Sequence, residues 1–356
     1  MKETQFPKIS FGIIVLNGEP FTRYCLRSLY PFAYEIIVVE GASKNAKAIS
    51  TDDGHSTDGT LEVLYRFKKE EDIEDKVKII TKEGFWSEKD EQSQAYARHA
   101  TGDYLWQVDI DEFYKPDDMA FILQMLKEDP SITAISFKQI TFWGSPNYVT
   151  DSWYLRGGAN YYHRLFKWGA GYKYVSHRPP TVVDKEGKDL RSIKWVRGEV
   201  LARKGIYLYH YSLLFPKQVF EKVTYYSSTN LGPQCERMVE WAKENYMQLK
   251  RPFRVHNVHT HPSWLEHFSG TQPPEAINMF NDAVAGQIKV ELRSMLDVEN
   301  LLRSFWYRFG RATLKALFGF HALGNGLQTL KQKGKRFIYL LYKRLQLFIY
   351  TKLKPG

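Results

Sequence analysis

The stretch YLWQVDIDE (residues 104–112) joins an apolar run to three carboxylates. The run is typical of a buried strand in a parallel sheet, and Asp109 and Asp111 follow at its carboxyl end. Side chains alternate along a strand, so these two carboxylates face the same way. Open α/β sheets bind ligands at this end of their strands, and paired carboxylates suit Mg²⁺ or Mn²⁺. The stretch therefore predicts a cation site, although a solvated acidic turn would also explain it.

Strand and helix patterns alternate on both sides of this stretch. Short apolar runs predict strands at 11–16, 35–40, 77–80, 104–108 and 133–137, with helical segments between them. This alternation predicts an α/β fold with a mainly parallel sheet flanked by helices over about residues 8–138. From residue 216 onward the pattern is mainly helical, with an interruption at 251–264.

Composition limits the class of protein. The chain is 43% hydrophobic and 15% aromatic, which is enough for a packed core. Cys25 and Cys235 are too far apart in sequence to suggest a disulfide framework or a metal site. No signal-peptide pattern precedes the first strand, and no apolar run reaches the roughly 18 residues that span a bilayer. We therefore expect a cytoplasmic protein that is not integral to a membrane.

Three motifs resemble those of the family 2 glycosyltransferases, which have a GT-A fold. NGE (17–19) follows the first strand, and STDGT (56–60) follows a second strand that ends in Glu40. ATGDY (100–104) then leads to DIDE (109–112). The family usually has Asp where Glu40 stands, and residues 41–55 look like an insertion.

The resemblance implies a metal-dependent transfer of a sugar to a hydroxyl of a glycan or lipid-linked acceptor, with inversion. The donor expected is a nucleotide-diphosphate sugar, with UDP-sugar favoured. The residues implied in donor binding are Leu16, Asn17, Glu19, Glu40, Asp58, Asp109 and Lys222. Those implied in binding Mn²⁺ or Mg²⁺ are Asp109, Asp111 and His210. Glu40 could instead cap a turn, His210 could be a core residue, and Lys217 and Lys222 could be solvated.

An inverting transfer also needs a base that takes the proton of the acceptor hydroxyl. The candidates are Asp151, Glu112 and His177, with Asp184 as a further competitor. Arg178 follows His177 where the family often has an acid, so the base stays open among these residues.

His259 and His261 alternate as they would on one face of a strand. No Cys or carboxylate nearby completes a ligand set, and Zn²⁺ sites usually need three or four protein ligands. We therefore favour a structural or acceptor-lining role over metal binding.

The positive charge is concentrated near the end of the chain. Residues 291–356 carry 13 Lys and Arg against 3 Asp and Glu, a net charge of +10 that equals the net charge of the whole chain. Mixed with aromatic residues, this composition favours a helix on an anionic membrane surface at the inner face of the membrane. Nucleic-acid binding is a disfavoured rival, and a helical pair that packs on the catalytic domain or a partner is a third possibility.

We expect three parts: a GT-A-like glycosyltransferase domain at 1–225, a helical acceptor-side extension at 226–290 and a basic amphipathic helical tail at 291–356. The alternative from another class is a non-catalytic nucleotide-binding scaffold whose basic tail binds membrane or nucleic acid.

Overall fold

The computed structural model describes residues 6–157, 161–229, 235, 237–324, 340, 344 and 351. Two compact units interleave along the chain. The first unit comprises Met1–Ile140, Tyr161–Ser212 and Gly270–Glu291. The second unit comprises Thr141–Asn160, Leu213–Ser269 and Leu292–Gly356. The predicted boundaries after residues 225 and 290 stay predictions.

The elements are numbered in chain order. The strands are β1 (Ile9–Val15), β2 (Glu35–Glu40), β3 (Val77–Ile80), β4 (Tyr104–Asp109), β5 (Glu112–Phe113), β6 (Ala134–Phe137), β7 (Gln139–Trp143), β8 (Ser145–Ser152), β9 (Tyr162–Lys167), β10 (Lys173–His177), β11 (Pro180–Val183), β12 (Trp195–Val196), β13 (Leu208–Leu213) and β14 (Ser263–His267). The α-helices are α1 (Thr22–Leu29), α2 (Thr60–Glu70), α3 (Lys89–His99), α4 (Pro116–Glu128), α5 (Trp153–Arg156), α6 (Gly198–Ala202), α7 (Pro216–Ser227), α8 (Met238–Trp241), α9 (Pro274–Val284), α10 (Leu296–Arg303) and α11 (Phe305–Gly324).

A seven-stranded sheet forms the centre of the first unit, in the order β12-β6-β9-β4-β1-β2-β3. β1, β2, β3 and β4 run parallel, whereas β9 is antiparallel to both β4 and β6. All six residues of β2 are buried, as expected for a central strand covered on both faces. The predicted α/β fold, with a mainly parallel sheet flanked by helices and further helices toward the C-terminus, is confirmed.

Helix α3 packs very closely on β1. A Cβ atom at Gly12 would lie 2.4 Å from the ring of Tyr96, which is fully buried. Glycine is therefore required in the middle of this strand, although it weakens strands elsewhere. The contact fixes α3 against the sheet beside β4, from which the candidate site extends.

The core of the second unit is rich in aromatic residues. Trp143, Trp264, Tyr246 and Tyr307 are all fully buried there. The β8 strand pairs antiparallel with β7 and β14. Arg293 lies 4.5 Å from the centre of the Trp143 ring, a cation–π contact inside this core.

Helices α10 and α11 belong to that core. Val298, Leu302, Tyr307 and Leu314 are buried, and the Tyr307 hydroxyl accepts a hydrogen bond from the amide of Leu265 at 2.8 Å. Within the described ranges, no helix has both the length and the apolar character needed to cross a membrane. Most of the predicted basic tail after Gly324 lies outside the described residues.

The strand expected around His259 and His261 is absent from this described part of the chain. Residues 251–262 form turns and bends, and β14 starts only at Ser263. Pro252 and Pro262 explain the difference, since proline interrupts the hydrogen-bond ladder of a strand.

Candidate functional site

The carboxyl ends of β1, β2 and β4 meet at one edge of the sheet. Ile14 of β1 is aligned with Asp109 of β4, and Val15 is aligned with Glu40 of β2. The polar residues that follow these strands therefore lie along a common edge, where open α/β sheets bind their ligands.

Arg164 binds two of the carboxylates at this edge. Its guanidinium donates to both oxygens of Glu112, at 2.8 and 2.5 Å, and to Asp109 Oδ2 at 3.1 Å. Glu112 is fully buried, and it also accepts a hydrogen bond from the amide of Asp109. Burial alone would raise the pKa of Asp109, but the charge of Arg164, together with smaller effects of His177 and Lys89, outweighs burial and holds this pKa well below its usual range. Asp109 is therefore ionised and fixed in place.

Asp111 and His210 meet across neighbouring strands. β13 runs antiparallel to β5 and puts His210 opposite Glu112, while the amide of Tyr211 donates to the carbonyl of Asp111. As a result, His210 Nε2 lies 3.3 Å from Asp111 Oδ1. Both ring nitrogens of His210 are buried and make no hydrogen bond within the described part of the chain.

This pair fits two ligands of a divalent cation. Mg²⁺ binds its ligands octahedrally at about 2.1 Å, which puts neighbouring ligand atoms about 3 Å apart. A buried imidazole without a hydrogen bond is costly unless a ligand completes it. Among the described residues, no three His, Cys, Asp or Glu side chains form a metal site. Asp109, predicted as a third ligand, points one of its two oxygens at Arg164. A cation would therefore depend on phosphate and water for its other ligands, as Mg²⁺ often does.

The loop after β1 is fastened to residues 56–60. Asn17 has a left-handed backbone (φ 52°), and its side chain accepts a hydrogen bond from the amide of Thr57 and donates to Ile49. Asp58 accepts hydrogen bonds from the amides of Glu19 and Thr60. Leu16 is half-buried at the start of this loop. The predicted donor-binding residues Asn17 and Asp58 thus build the edge of the site.

Glu40 is buried beneath the same loop. Its oxygens accept hydrogen bonds from the amide of Ser56 at 2.8 Å and from His55 Nδ1 at 2.7 Å. The hydrogen bond to Glu40 raises the pKa of His55 above its usual value.

Residues 10–178 match the family model described as "Glycosyl transferase family 2". Residues 10–178 form a family 2 glycosyltransferase domain. The match includes β1 through β10 and every residue of the edge described above except His210, which comes later in the chain.

The chain is also similar to solved glycosyltransferase structures. S. aureus TarS 1-349 in complex with UDP-GlcNAc has 17% identity over 45% of this chain and 45% of its own, with a TM-score of 0.32. S. aureus TarS has 12% identity over 68% of this chain and 44% of its own, with a TM-score of 0.37. Mycobacterium tuberculosis glucosyl-3-phosphoglycerate synthase in complex with Mn²⁺ and UDP-Glc has 18% identity over 38% of this chain and 44% of its own, with a TM-score of 0.27.

The chain thus spans less than half the length of these three structures. No curated protein matches its sequence significantly.

Two base candidates are bound tightly inside the family 2 domain. His177 ends β10 and is buried, with Nδ1 2.8 Å from the Ser93 hydroxyl and its amide bonded to Asp90. Burial and then the charge of Lys89 lower the pKa of His177 well below its usual value, so its ring is neutral at pH 7. Glu112 is saturated by Arg164, which favours a positioning role for this carboxylate.

Asp184, Lys217 and Lys222 come after the matched residues 10–178, whereas Asp151 lies within them. Asp151 is on β8 in the second unit, 2.7 Å from Arg156. Asp184 accepts hydrogen bonds from the amides of Glu186 and Lys188 in a turn. Lys222 is on α7 in the second unit, as is Lys217, which lies 3.5 Å from Glu221.

The turns around His259 and His261 bind their side chains locally. His259 Nδ1 lies 3.3 Å from the carbonyl of Asn257, and His261 Nδ1 lies 3.1 Å from the hydroxyl of Thr260. This agrees with a structural role.

Sequence reasoning did not assign a role to Arg164 or His55. Arg164 begins the sequence RLF (164–166), but no pattern in the sequence reports that it joins Asp109 to Glu112. His55 stands directly before the STDGT motif of the family 2 domain, and this position was the only signal available for it.

Proposed function

We propose that the chain transfers a sugar from a nucleotide-diphosphate donor to an acceptor hydroxyl, and that Asp111 and His210 hold the divalent cation used in the reaction. The observation that carries the proposal is the contact of 3.3 Å between Asp111 Oδ1 and His210 Nε2. The imidazole is buried without a hydrogen bond in the described chain, and it lies at the ligand-binding edge of a parallel sheet.

The residues at this edge have different roles in the proposed reaction. A cation bound to the donor phosphates would neutralise the charge that develops on the departing diphosphate. Arg164 keeps Asp109 ionised and oriented, so that Asp109 can accept hydrogen bonds from the donor ribose. Glu112 holds Arg164 in turn.

We favour a UDP-sugar as donor and a glycan or lipid-linked hydroxyl as acceptor, with inversion at the transferred sugar. Direct displacement needs a base at the acceptor hydroxyl. Both oxygens of Glu112 are occupied by Arg164, and the lowered pKa of the buried His177 ring makes it a weak base, so we assign this role to neither residue.

The test is binding of UDP, CDP, GDP and ADP to the full chain by calorimetry, with and without Mn²⁺. We expect one of these nucleotides to bind at least tenfold more tightly with Mn²⁺, and Asp111→Asn to remove that gain. Asp103→Asn is the matched control. Asp103 is an exposed aspartate directly before the first residue of β4, far from the carboxyl end of this strand, and it accepts a hydrogen bond from the amide of Lys8.

Two results would contradict the proposal. Absence of metal-dependent binding in the wild-type chain would favour a non-catalytic scaffold. An equal loss in Asp103→Asn and Asp111→Asn would point to general destabilisation in place of a lost metal ligand.

We also propose that α10 and α11 contact an anionic membrane surface. Phe305 and Phe309 are 62% and 49% exposed, and their rings stack at a centroid distance of 6.5 Å. The exposed Arg303 and Arg308 lie beside them. Aromatic side chains flanked by basic ones suit the headgroup region of an anionic bilayer.

A further inference from the structure

His55 is fixed from several directions. Its amide donates to the Thr51 hydroxyl at 2.8 Å, and its carbonyl accepts from the amide of Thr51 at 2.9 Å. Its ring nitrogen Nδ1 donates to Glu40 Oε2 at 2.7 Å. A side chain oriented by a buried carboxylate is preorganised for a contact.

The ring nitrogen that remains is available to a ligand. His55 is 22% exposed, whereas Glu40 is fully buried. Nothing in the described chain forms a hydrogen bond with His55 Nε2. With Nδ1–H donated to Glu40, Nε2 is an acceptor, and in the protonated ring it is a donor.

Glu40 itself is poorly placed to contact a ligand. One of its oxygens receives the amide of Ser56 and the other receives His55, and its side chain has no exposed surface. His55 would therefore make the contact with the donor that was predicted for Glu40.

His55 is bonded to Glu40 at the end of β2, on the same edge of the sheet as the end of β4. The strand order β4-β1-β2 separates the end of β4 from the end of β2 by two strand spacings, roughly 10 Å. A nucleoside diphosphate with its phosphates near Asp111 can extend its base along the edge of the sheet toward His55.

We propose that His55 Nε2 forms a hydrogen bond with the nucleobase of the donor, and that Glu40 is the positioning residue that orients the ring. This inference rests on the proposed function, since it assumes a nucleotide donor with its phosphates beside Asp111 and His210.

The test compares two probes on the full chain with Mn²⁺ by calorimetry. One is whichever of UDP, CDP, GDP and ADP the wild type binds most tightly, and the other is inorganic pyrophosphate, which has no base. We expect His55→Ala to weaken nucleotide binding about tenfold, as for loss of one hydrogen bond, and to leave pyrophosphate binding unchanged. Unchanged pyrophosphate binding also shows that the variant is folded.

His55→Gln is the second variant, because its amide keeps a polar group near Nε2 and should recover part of the affinity. His99→Ala is the matched control, since His99 is exposed at the end of α3 and, within the described chain, bonds its own helix through the carbonyl of Ala95. It should bind both probes like the wild type.

Three outcomes would overturn the inference. If His55→Ala binds the nucleotide as tightly as the wild type does, the contact with the base is refuted and the proposed function is not. Equal weakening for nucleotide and pyrophosphate assigns His55 to the phosphates or to the fold. A wild-type chain that binds none of the nucleotides refutes the proposed function together with this contact.

Discussion

Arg164 and Glu112 form a buried ion pair that sets the geometry of the candidate site. Their side chains are 7% and 0% exposed, and Asp109 is attached to the same guanidinium. Compared with apolar residues of the same size, such a pair contributes little net stability, but it fixes orientation when every partner is present. The ion pair therefore serves the site by holding Asp109 in a fixed position.

We expect Arg164→Met to lower the free energy of unfolding by about 3–5 kcal/mol, because Glu112 would stay buried without its cation. Chemical denaturation of the full chain measures this change. Arg156→Met is the control, since the pair of Arg156 with Asp151 is 34% and 26% exposed and should cost at most about 1 kcal/mol. Similar losses in the two variants would contradict this account.

Part of this residue-level arrangement follows from the sequence. Strand alternation and the family resemblance predicted that Asp109 and Asp111 lie at the sheet edge, and the resemblance added His210. The link from Arg164 to Asp109 crosses 55 residues, and the link from His55 to Glu40 depends on the path of the loop 41–55. Neither has a local sequence pattern, because side-chain direction in each case is set by tertiary packing.

At the scale of elements, the strands and helices before residue 138 follow their hydrophobic periodicity. The position of β9 does not follow from hydrophobic periodicity. This strand pairs antiparallel between β4 and β6, through contacts such as Leu105 with Phe166. For α10 and α11 the sequence predicted helices with apolar and basic residues, but not which face is buried. The structure buries Leu302, Tyr307 and Leu314 in the second unit and leaves Phe305 and Phe309 exposed.

We expect Leu314→Ala to lower the free energy of unfolding by about 2–5 kcal/mol, as for other fully buried leucines. Leu296→Ala is the control, because Leu296 begins α10 and is 70% exposed, so its loss should stay within about 0.5 kcal/mol. Thermal and chemical unfolding both report the difference. If Leu314→Ala were as stable as Leu296→Ala, the C-terminal helices would not be part of a core.

For the whole molecule, the uneven charge and the exposed rings of α11 lead to one prediction on membrane contact. Removal of all residues after Val290 would also delete the buried Leu302, Tyr307 and Leu314, so surface substitutions are the cleaner test. We expect the double variant Phe305→Ser/Phe309→Ser to bind phosphatidylglycerol liposomes about tenfold more weakly than the wild type in a co-sedimentation assay.

The control for that assay removes two exposed apolar side chains from the first unit. Tyr65→Ser/Ile73→Ser fits this purpose, with exposures of 53% and 91% in the wild type. Retained binding in the Phe305/Phe309 variant, or no binding by the wild type, would refute membrane contact through this helix.

The interleaving of the two units has a consequence for synthesis of the chain. Gly270–Glu291 belongs to the first unit, yet the ribosome makes it only after most of the second unit. The first unit therefore cannot finish folding until Thr141–Asn160 and Leu213–Ser269 of the second unit have been made, unlike domains that fold one after another from the N-terminus. A nascent chain arrested before residue 270 would present a sheet domain that still lacks α9, so the surface that Ala276 and Met279 of this helix cover would be open to solvent.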